Sequence, residues 1–303
     1  MKVIVAGTVA IDDVKTPKVE RTGLMGGSAA YAAMSCSFFA TTRIVGIIGK
    51  DFPKEHITTL ESNGICTEGI ERSEGDSFYW SGEYHENMDE RTTHDVAINV
   101  LEAYEPKIPE SYSDTELVLL ANMNPRNQLD VLDQCNNAKY SIADTMDIWI
   151  NNERDELLEL LEKIDLLVIN ESEAQLFMET RNLVRAGKKL MSLGPKNVII
   201  KTGEHGSMLL GKNENEFFRL GAYPLEEVED PTGAGDCYVG GIAGFIASQN
   251  QGSPSFKDLK SAMARGTVMA SFNCESFSVE GLNSLDSNKI SERLNQLLSY
   301  TQI

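Results

Sequence analysis

Apolar residues come in short unbroken runs near the start of the chain. The first of them, Val3-Ile4-Val5-Ala6 closed by Gly7, predicts a buried strand over residues 2–6. Gly26-Gly27 then opens a stretch of small and apolar residues, 28–40, that reads as a helix entered through glycine. A second apolar run, 43–48, closes at Gly49. Residues 53–63 suit a helix with Pro53 in its first turn, where the missing N–H costs nothing. Strand, helix, strand, helix in this order predicts a parallel sheet with helices on both faces. Residues 77–99 break the rhythm: 77–84 is aromatic and partly alternating, and 92–99 alternates again after a polar turn. Two such strands with no helix between them predict antiparallel pairing off the main sheet, as a lid. The earlier rhythm then resumes, with strands expected at 117–121, 140–143, 166–170, 198–201 and 207–210. Helices are expected at 127–135, 152–163, 171–178, 181–192, 235–248 and 256–273. The last two are rich in Gly, Ala and Ser, so that backbones can approach closely.

Composition narrows the classes of function. The 303 residues suit one large α/β unit, and 41% hydrophobic residues supply a sizeable core. With 46 acidic residues against 27 basic ones the formal charge is −19, a surface that repels nucleic acid and anionic membranes. A small anion is a different matter, since a local cluster of backbone N–H groups can hold phosphate inside an acidic protein. The five cysteines (Cys36, Cys66, Cys135, Cys237, Cys274) are widely spaced with no CxxC pair. They read as small buried hydrophobes of a reducing compartment, not as a disulfide framework or a zinc site. The four histidines show no metal-ligand spacing. No stretch approaches the ~20 apolar residues a membrane span needs, and the start of the chain has no basic n-region, so a soluble, cytoplasmic protein is expected.

The chemistry concentrates in Asp230-Pro231-Thr232-Gly233-Ala234-Gly235-Asp236. Two glycines flank one alanine directly before an expected helix start. A chain so short of side chains can turn its N–H groups to one point, where the helix dipole adds positive potential. Asp236 beside such an anion hole would repel phosphate, unless it takes a proton from a hydroxyl attacking the phosphoryl group held there. A simple glycine turn with Asp236 as a helix cap is the competing reading.

This segment resembles the C-terminal signature of the PfkB, or ribokinase-like, family, which includes ribokinase, fructokinase, adenosine kinase and related nucleoside kinases. Gly26-Gly27 looks like the family's N-terminal glycine pair, and Gly7 followed by Asp12 is similar to its first strand and substrate-binding carboxylate. Asn170-Glu171-Ser172-Glu173 matches the NxxE motif, and Lys201 to Gly206 resembles the nucleotide-side strand and turn. All of them occur in family order along nearly the whole chain. The resemblance implies a three-layer α/β/α fold in one domain, 1–303, with a mostly parallel sheet. It implies a small β lid drawn from about residues 10–40 and 75–100, through which two chains could pair. It implies an ATP- and Mg²⁺-dependent kinase that phosphorylates a hydroxymethyl group of a small sugar-like acceptor. Asp236 would be the base, with Gly233, Ala234 and Gly235 donating N–H groups to the transferring phosphate. Asp12, Gly26, Gly27 and Tyr31 would lie at the acceptor; Asn170, Glu173, Lys201, Gly203 and Gly206 at the nucleotide. Glu173 would act on Mg²⁺ through water, and Asp230 sits where several members bind a monovalent cation such as K⁺.

Three departures bear on the acceptor. Tyr31 stands where sugar-specific members usually have Asn, and it offers one hydroxyl and a large ring in place of an amide. Pro231 replaces the more usual Thr, a wording also met among nucleoside kinases. Asp144-Thr145-Met146-Asp147 lacks the Arg that an already phosphorylated sugar would want. A nucleoside kinase is therefore the alternative within the class, and a non-catalytic ligand-binding protein on the same fold is the alternative outside it. There is no GxxxxGK[ST] motif and no GxGxxG after the first strand, which sets aside a P-loop kinase and a dinucleotide oxidoreductase.

Overall fold

A computed structural model describes residues 1–88, 90–213, 215–249 and 252–301. The chain begins with β1 (Val3–Ala6), then β2 (Ala10–Lys15) and β3 (Glu20–Gly26), which lead into α1 (Ser28–Ser37). Next come β4 (Thr42–Ile48), α2 (Lys54–Ser62), β5 (Cys66–Arg72), β6 (Phe78–Tyr84), β7 (Arg91–Ala97) and β8 (Leu117–Leu120). The middle of the chain holds α3 (Pro125–Gln134), β9 (Tyr140–Asp144), α4 (Asp147–Asn152), α5 (Arg154–Lys163), β10 (Leu166–Asn170), α6 (Glu171–Met178) and α7 (Leu183–Met191). After β11 (Asn197–Lys201), β12 (Ser207–Leu210) and β13 (Phe217–Leu220), the chain ends in α8 (Ala234–Gln249), α9 (Phe256–Cys274), α10 (Glu280–Asn283) and α11 (Ser287–Tyr300).

Nine strands form the central sheet in the order β13-β12-β11-β10-β9-β8-β1-β4-β5. From β5 through β11 neighbours pair parallel; β12 and β13 close one edge antiparallel. The period-2 alternation of a strand divides the core between two faces. Val3 and Val5 of β1 pack with α1, α8 and α9, whereas Ile4 and Ala6 pack on the opposite side with α3, α5, α6 and α7. Both faces are thus covered, as parallel strands of continuous apolar residues require, and the layers are α/β/α. No helix among the described residues is long and apolar enough to cross a membrane.

The lid is a second sheet, β3-β2-β6-β7, with β2 and β6 parallel in its middle and antiparallel hairpins on either side. The expected β6–β7 hairpin is present. The lid ends sooner than expected, however: α1 lies in the main body, so the first contribution stops at Gly26, not near residue 40. Asp89, in the expected lid range, lies outside the described residues. Pro53 is also one position earlier than expected, at the N-cap of α2 with φ −60°. Strands β5 and β13 and helix α11 were not foreseen. The sequence of β5, Cys-Thr-Glu-Gly-Ile-Glu-Arg, is polar because it is an edge strand with only Gly69 and Ile70 buried.

Candidate active site

Two crossings create the site, one from the lid into the body and one at the entry to α8. At the first, β3 runs straight into α1 through Gly26-Gly27. A Cβ on Gly26 would fall 2.0 Å from the Asp12 carboxyl carbon, so the glycine makes the room that this carboxylate fills. Gly27 has φ 93°, and a Cβ there would meet the Thr8 carbonyl oxygen at 2.4 Å. No other residue passes this corner without strain. Asp12, on β2, is 4% exposed, and its carboxylate makes no hydrogen bond among the described residues. Burial, and then the charges of Asp230, Asp236 and Asp13, push its pKa up to about 8.

At the second crossing the DPTGAGD segment turns into α8. Gly233 (φ 77°) lies flat on the ring of Tyr31, where a Cβ would meet ring atoms at 2.3 Å. Tyr31 is 1% exposed, and its hydroxyl is buried without a hydrogen-bond partner. Its ring supports the glycine turn from beneath, and burial raises the hydroxyl well above its ordinary range. Of the three N–H groups expected to face phosphate, that of Ala234 is already given to the Pro231 carbonyl at 3.1 Å. The N–H of Cys237 goes to the Gly233 carbonyl at 2.8 Å. The first turn of a helix has no intrahelical acceptors, and among the described residues the N–H groups of Gly233 and Gly235 have no backbone acceptor, whereas the Asp236 N–H is held by its own carboxyl. Ala234 therefore shapes the turn without contributing a donor.

Asp236 sits in the first turn of α8. Burial first, and then Asp144, push its carboxyl up to about 7, while Lys201 and Arg91 pull it down. A carboxylate with a pKa near neutrality is suited to proton transfer. Lys201, at the end of β11, donates to Asp144 Oδ2 at 2.7 Å, and a Cβ on Gly235 would lie 3.3 Å from its Nζ. Burial works against its charge, but Asp144 and Glu173 more than offset this and raise its pKa. A held cation thus stands beside the N-terminus of α8.

The NxxE motif has a clear local role. Asn170 Oδ1 accepts the Glu173 N–H at 2.8 Å, and Glu173 Oε2 accepts the Asn170 N–H at 3.0 Å, a reciprocal cap on α6. The cap fixes Glu173 within the field of Lys201 and Asp144, and burial pushes its pKa up. Gly203 and Gly206 bracket a tight turn closed by Thr202 N–H to the Gly206 carbonyl at 2.8 Å. That turn, with Lys201, Ala234, Gly235, Tyr223 and Tyr238, lines a cavity of about 440 Å³. Met88 of the lid hairpin reaches the same cavity.

The structure brings Asp12, Gly26, Gly27, Asp230 and Gly233 together at one end of the cleft and Asn170, Glu173, Lys201, Gly203 and Gly206 at the other, with Gly235 and Asp236 between them. Sequence reasoning missed Asp144 as the partner of Lys201, because 57 residues separate them. It also missed Tyr84, whose hydroxyl receives the Thr232 Oγ1 hydroxyl at 3.2 Å and ties the lid to the glycine turn. The aromatic run of the lid gave no hint of which ring would do this.

Comparison with known proteins agrees with this geometry. The family described as pfkB family carbohydrate kinase matches residues 12–284. A cytidine kinase from Thermococcus kodakarensis is 30% identical over 258 residues, covering 84% of this chain and 90% of that protein. Among solved structures, a ribokinase from Giardia lamblia superposes with a TM-score of 0.82 at 18% identity, covering 97% of this chain and 98% of that one. A nucleoside kinase from Methanocaldococcus jannaschii gives 0.76 at 18% identity, with the same 97% and 98% coverage. At such identity the two structures speak for the ribokinase-like fold alone. The family match across most of the chain, with the full-length relative, establishes that this chain belongs to the PfkB family of carbohydrate kinases and is a sugar or nucleoside kinase, a phosphotransferase with an alcohol as acceptor.

Proposed function

We propose that the chain uses ATP to phosphorylate the hydroxymethyl group of a ribonucleoside, with a pyrimidine nucleoside as the preferred acceptor. The observation that carries the acceptor side is Asp12: a carboxylate 4% exposed, without a hydrogen bond among the described residues, facing the glycine pair. A buried acceptor-only group is costly until donors reach it, and a pair of sugar hydroxyls supplies two. The base preference draws on the cytidine kinase, similar over 84% of this chain.

On this reading ATP lies in the cavity of about 440 Å³ with its γ-phosphoryl group toward α8. The chemistry of the residue set fits such a ligand: a lysine held by Asp144, helix N–H groups, and Glu173 capped by Asn170 to hold the waters of a metal ion. Among the described residues no group of three or more His, Cys, Asp or Glu could hold a metal alone. Mg²⁺ would therefore arrive with the phosphates, whose charge it offsets, and Glu173 with Asn170 would hold its waters. Asp236 takes the proton from the acceptor hydroxyl as the oxygen attacks phosphorus. The N–H groups of Gly233 and Gly235 receive the charge that builds on the transferred group, and Lys201 offsets the charge of the phosphates.

The direct test follows ADP release with ATP·Mg²⁺ and, in parallel, cytidine, uridine, adenosine, ribose and fructose. Turnover is expected with cytidine or uridine above the free sugars. Brisk turnover of a free pentose or hexose with every nucleoside inert would replace the nucleoside reading by a plain sugar kinase.

A further inference from the structure

Asp230 is fully buried, three residues before Gly233, and the family resemblance implies a monovalent cation at this place. Whether these residues fit such an ion depends on where their oxygens point. A cation needs several carboxylate and carbonyl oxygens turned to one spot with lone pairs to spare, and each N–H already accepted leaves less of their charge for it. Here each is engaged. Asp230 Oδ1 accepts the Thr232 N–H at 2.9 Å, and Oδ2 accepts the Ser278 N–H at 3.5 Å. The Cys274 carbonyl accepts the N–H groups of Glu229 at 2.8 Å and Asp230 at 3.4 Å. The Thr232 carbonyl accepts Asn273 Nδ2 at 2.7 Å.

Asn273 is the unusual member. It lies in the last turn of α9, is fully buried, and uses its amide at both ends. While Nδ2 donates to Thr232, Oδ1 accepts the thiol of Cys237, the residue after Asp236, at 3.3 Å. Asn is a poor helix former, and its buried amide is tolerated only when its donors and acceptor are met. What it joins is specific: one end grips the carbonyl just before Gly233, and the other grips α8 just after Asp236. An N–H donor brings partial positive charge to the carbonyl that a cation would otherwise hold, and it is fixed to a long helix that cannot diffuse away.

We propose that Asn273 is a positioning residue that does the work of the monovalent cation, holding the glycine turn against α8, so that this kinase functions without K⁺ or Na⁺. The inference rests on the kinase reading of the site. An Asp at 273 would set a second acceptor against the Thr232 carbonyl, and only a proton or a cation between them could relieve the repulsion.

The test is a salt series on the whole protein, reading melting temperature and turnover in KCl, NaCl and choline chloride at equal ionic strength. For the wild type, melting and kcat are expected to be the same in all three. A melting temperature that climbs with KCl concentration but not with choline reports a specific bound cation and overturns the proposal, as does a several-fold rise of kcat in KCl. In choline, Asn273→Asp and Asn273→Leu should each lose about tenfold or more in kcat, the value of one or two buried hydrogen bonds, with KM for ATP little changed. KCl should restore turnover to Asn273→Asp alone. Variants that melt lower yet keep wild-type kcat would make Asn273 a packing residue and end the proposal. If neither variant folds, the wild-type series decides by itself. The melting series needs no acceptor, so it still tests the cation question if the chain phosphorylates none of the compounds offered and the kinase reading fails.

Discussion

The two ends of the cleft are built on opposite electrostatic plans. At the nucleotide end charge is matched in advance: Lys201 is bound to Asp144 at 2.7 Å, Glu173 is capped by Asn170, and the N-terminus of α8 adds its unpaired N–H groups. At the acceptor end charge is left unmatched. Asp12 has three further carboxylates in its field, no cation among the causes of its shift, and a pKa near 8. The strands that carry it are held to the body by the Tyr84–Thr232 hydrogen bond and by the Arg21–Glu280 and Lys18–Glu227 ion pairs at the rim. The difference teaches how one cleft can tell its substrates apart. On the proposed reading a polyanion would be drawn to the end that offers fixed donors, and a neutral polyol to the end that lacks them. Asp236 stands at the junction, with a carboxyl pushed up to about 7 by burial and Asp144 against the pull of Lys201.

The strongest blow to this arrangement falls at the junction. Asp236→Asn keeps the shape of the turn but cannot take a proton, so kcat should fall by about 10²–10⁴-fold, with ATP affinity unchanged or improved. If Asp236 were only a cap, Asn would serve about as well and turnover would persist, which a steady-state assay on the folded variant would reveal at once. At the nucleotide end, Lys201→Met leaves Asp144 and Glu173 buried without their cation. Breaking such a largely buried pair should cost about 3 kcal/mol of stability, read as a lowered urea midpoint, together with a raised KM for ATP.

Smaller effects are expected at the acceptor end. Asp12→Asn removes a charge-assisted contact worth about 1.5–3 kcal/mol, so the acceptor KM should rise by about 10- to 100-fold with kcat less affected. The same change should make the apoprotein more stable at pH 8, because a buried unmatched charge disappears. The pH dependence of wild-type stability follows from the same carboxyls. Asp12 and Asp236 are raised from 3.8 to about 8 and about 7, so between those limits the folded state binds more protons than the unfolded one. Stability contributed by these protons is complete below about pH 4 and is lost as pH rises through 7 to 8. The melting temperature of the apoprotein should therefore decline over that interval, more steeply in the wild type than in Asp12→Asn. A decline equally steep in both would argue that Asp12 is satisfied by donors after all.

Much of this was legible in the residues. Continuous apolar runs mark the parallel strands because both faces of the sheet are covered, and the glycine pair and the DPTGAGD segment mark the two crossings because only small residues fit there. The edges were not legible: β5 and β13 bury too little for a clear pattern, as Gly69-Ile70 and Leu220 illustrate. Within the site, motif residues were found and their partners were not. Lys201 could be singled out, but not Asp144; Tyr31 suggested a ring at the acceptor, but not that this ring packs under Gly233. Asn273 carries no signal at all, being one polar residue in a helix whose role appears only once α9 is set against α8. Contacts between distant segments depend on packing, which no local pattern records.

The division of the cleft into two ends is tested most directly by crossing the two variants. KM values for ATP and for the best acceptor are measured on wild type, Asp12→Asn and Lys201→Met under one set of conditions. Each variant is expected to move one constant: Asp12→Asn that of the acceptor by about 10- to 100-fold, and Lys201→Met that of ATP, with the other constant within a few-fold of wild type. Equal shifts of both constants in both variants would contradict a cleft with two separately built ends.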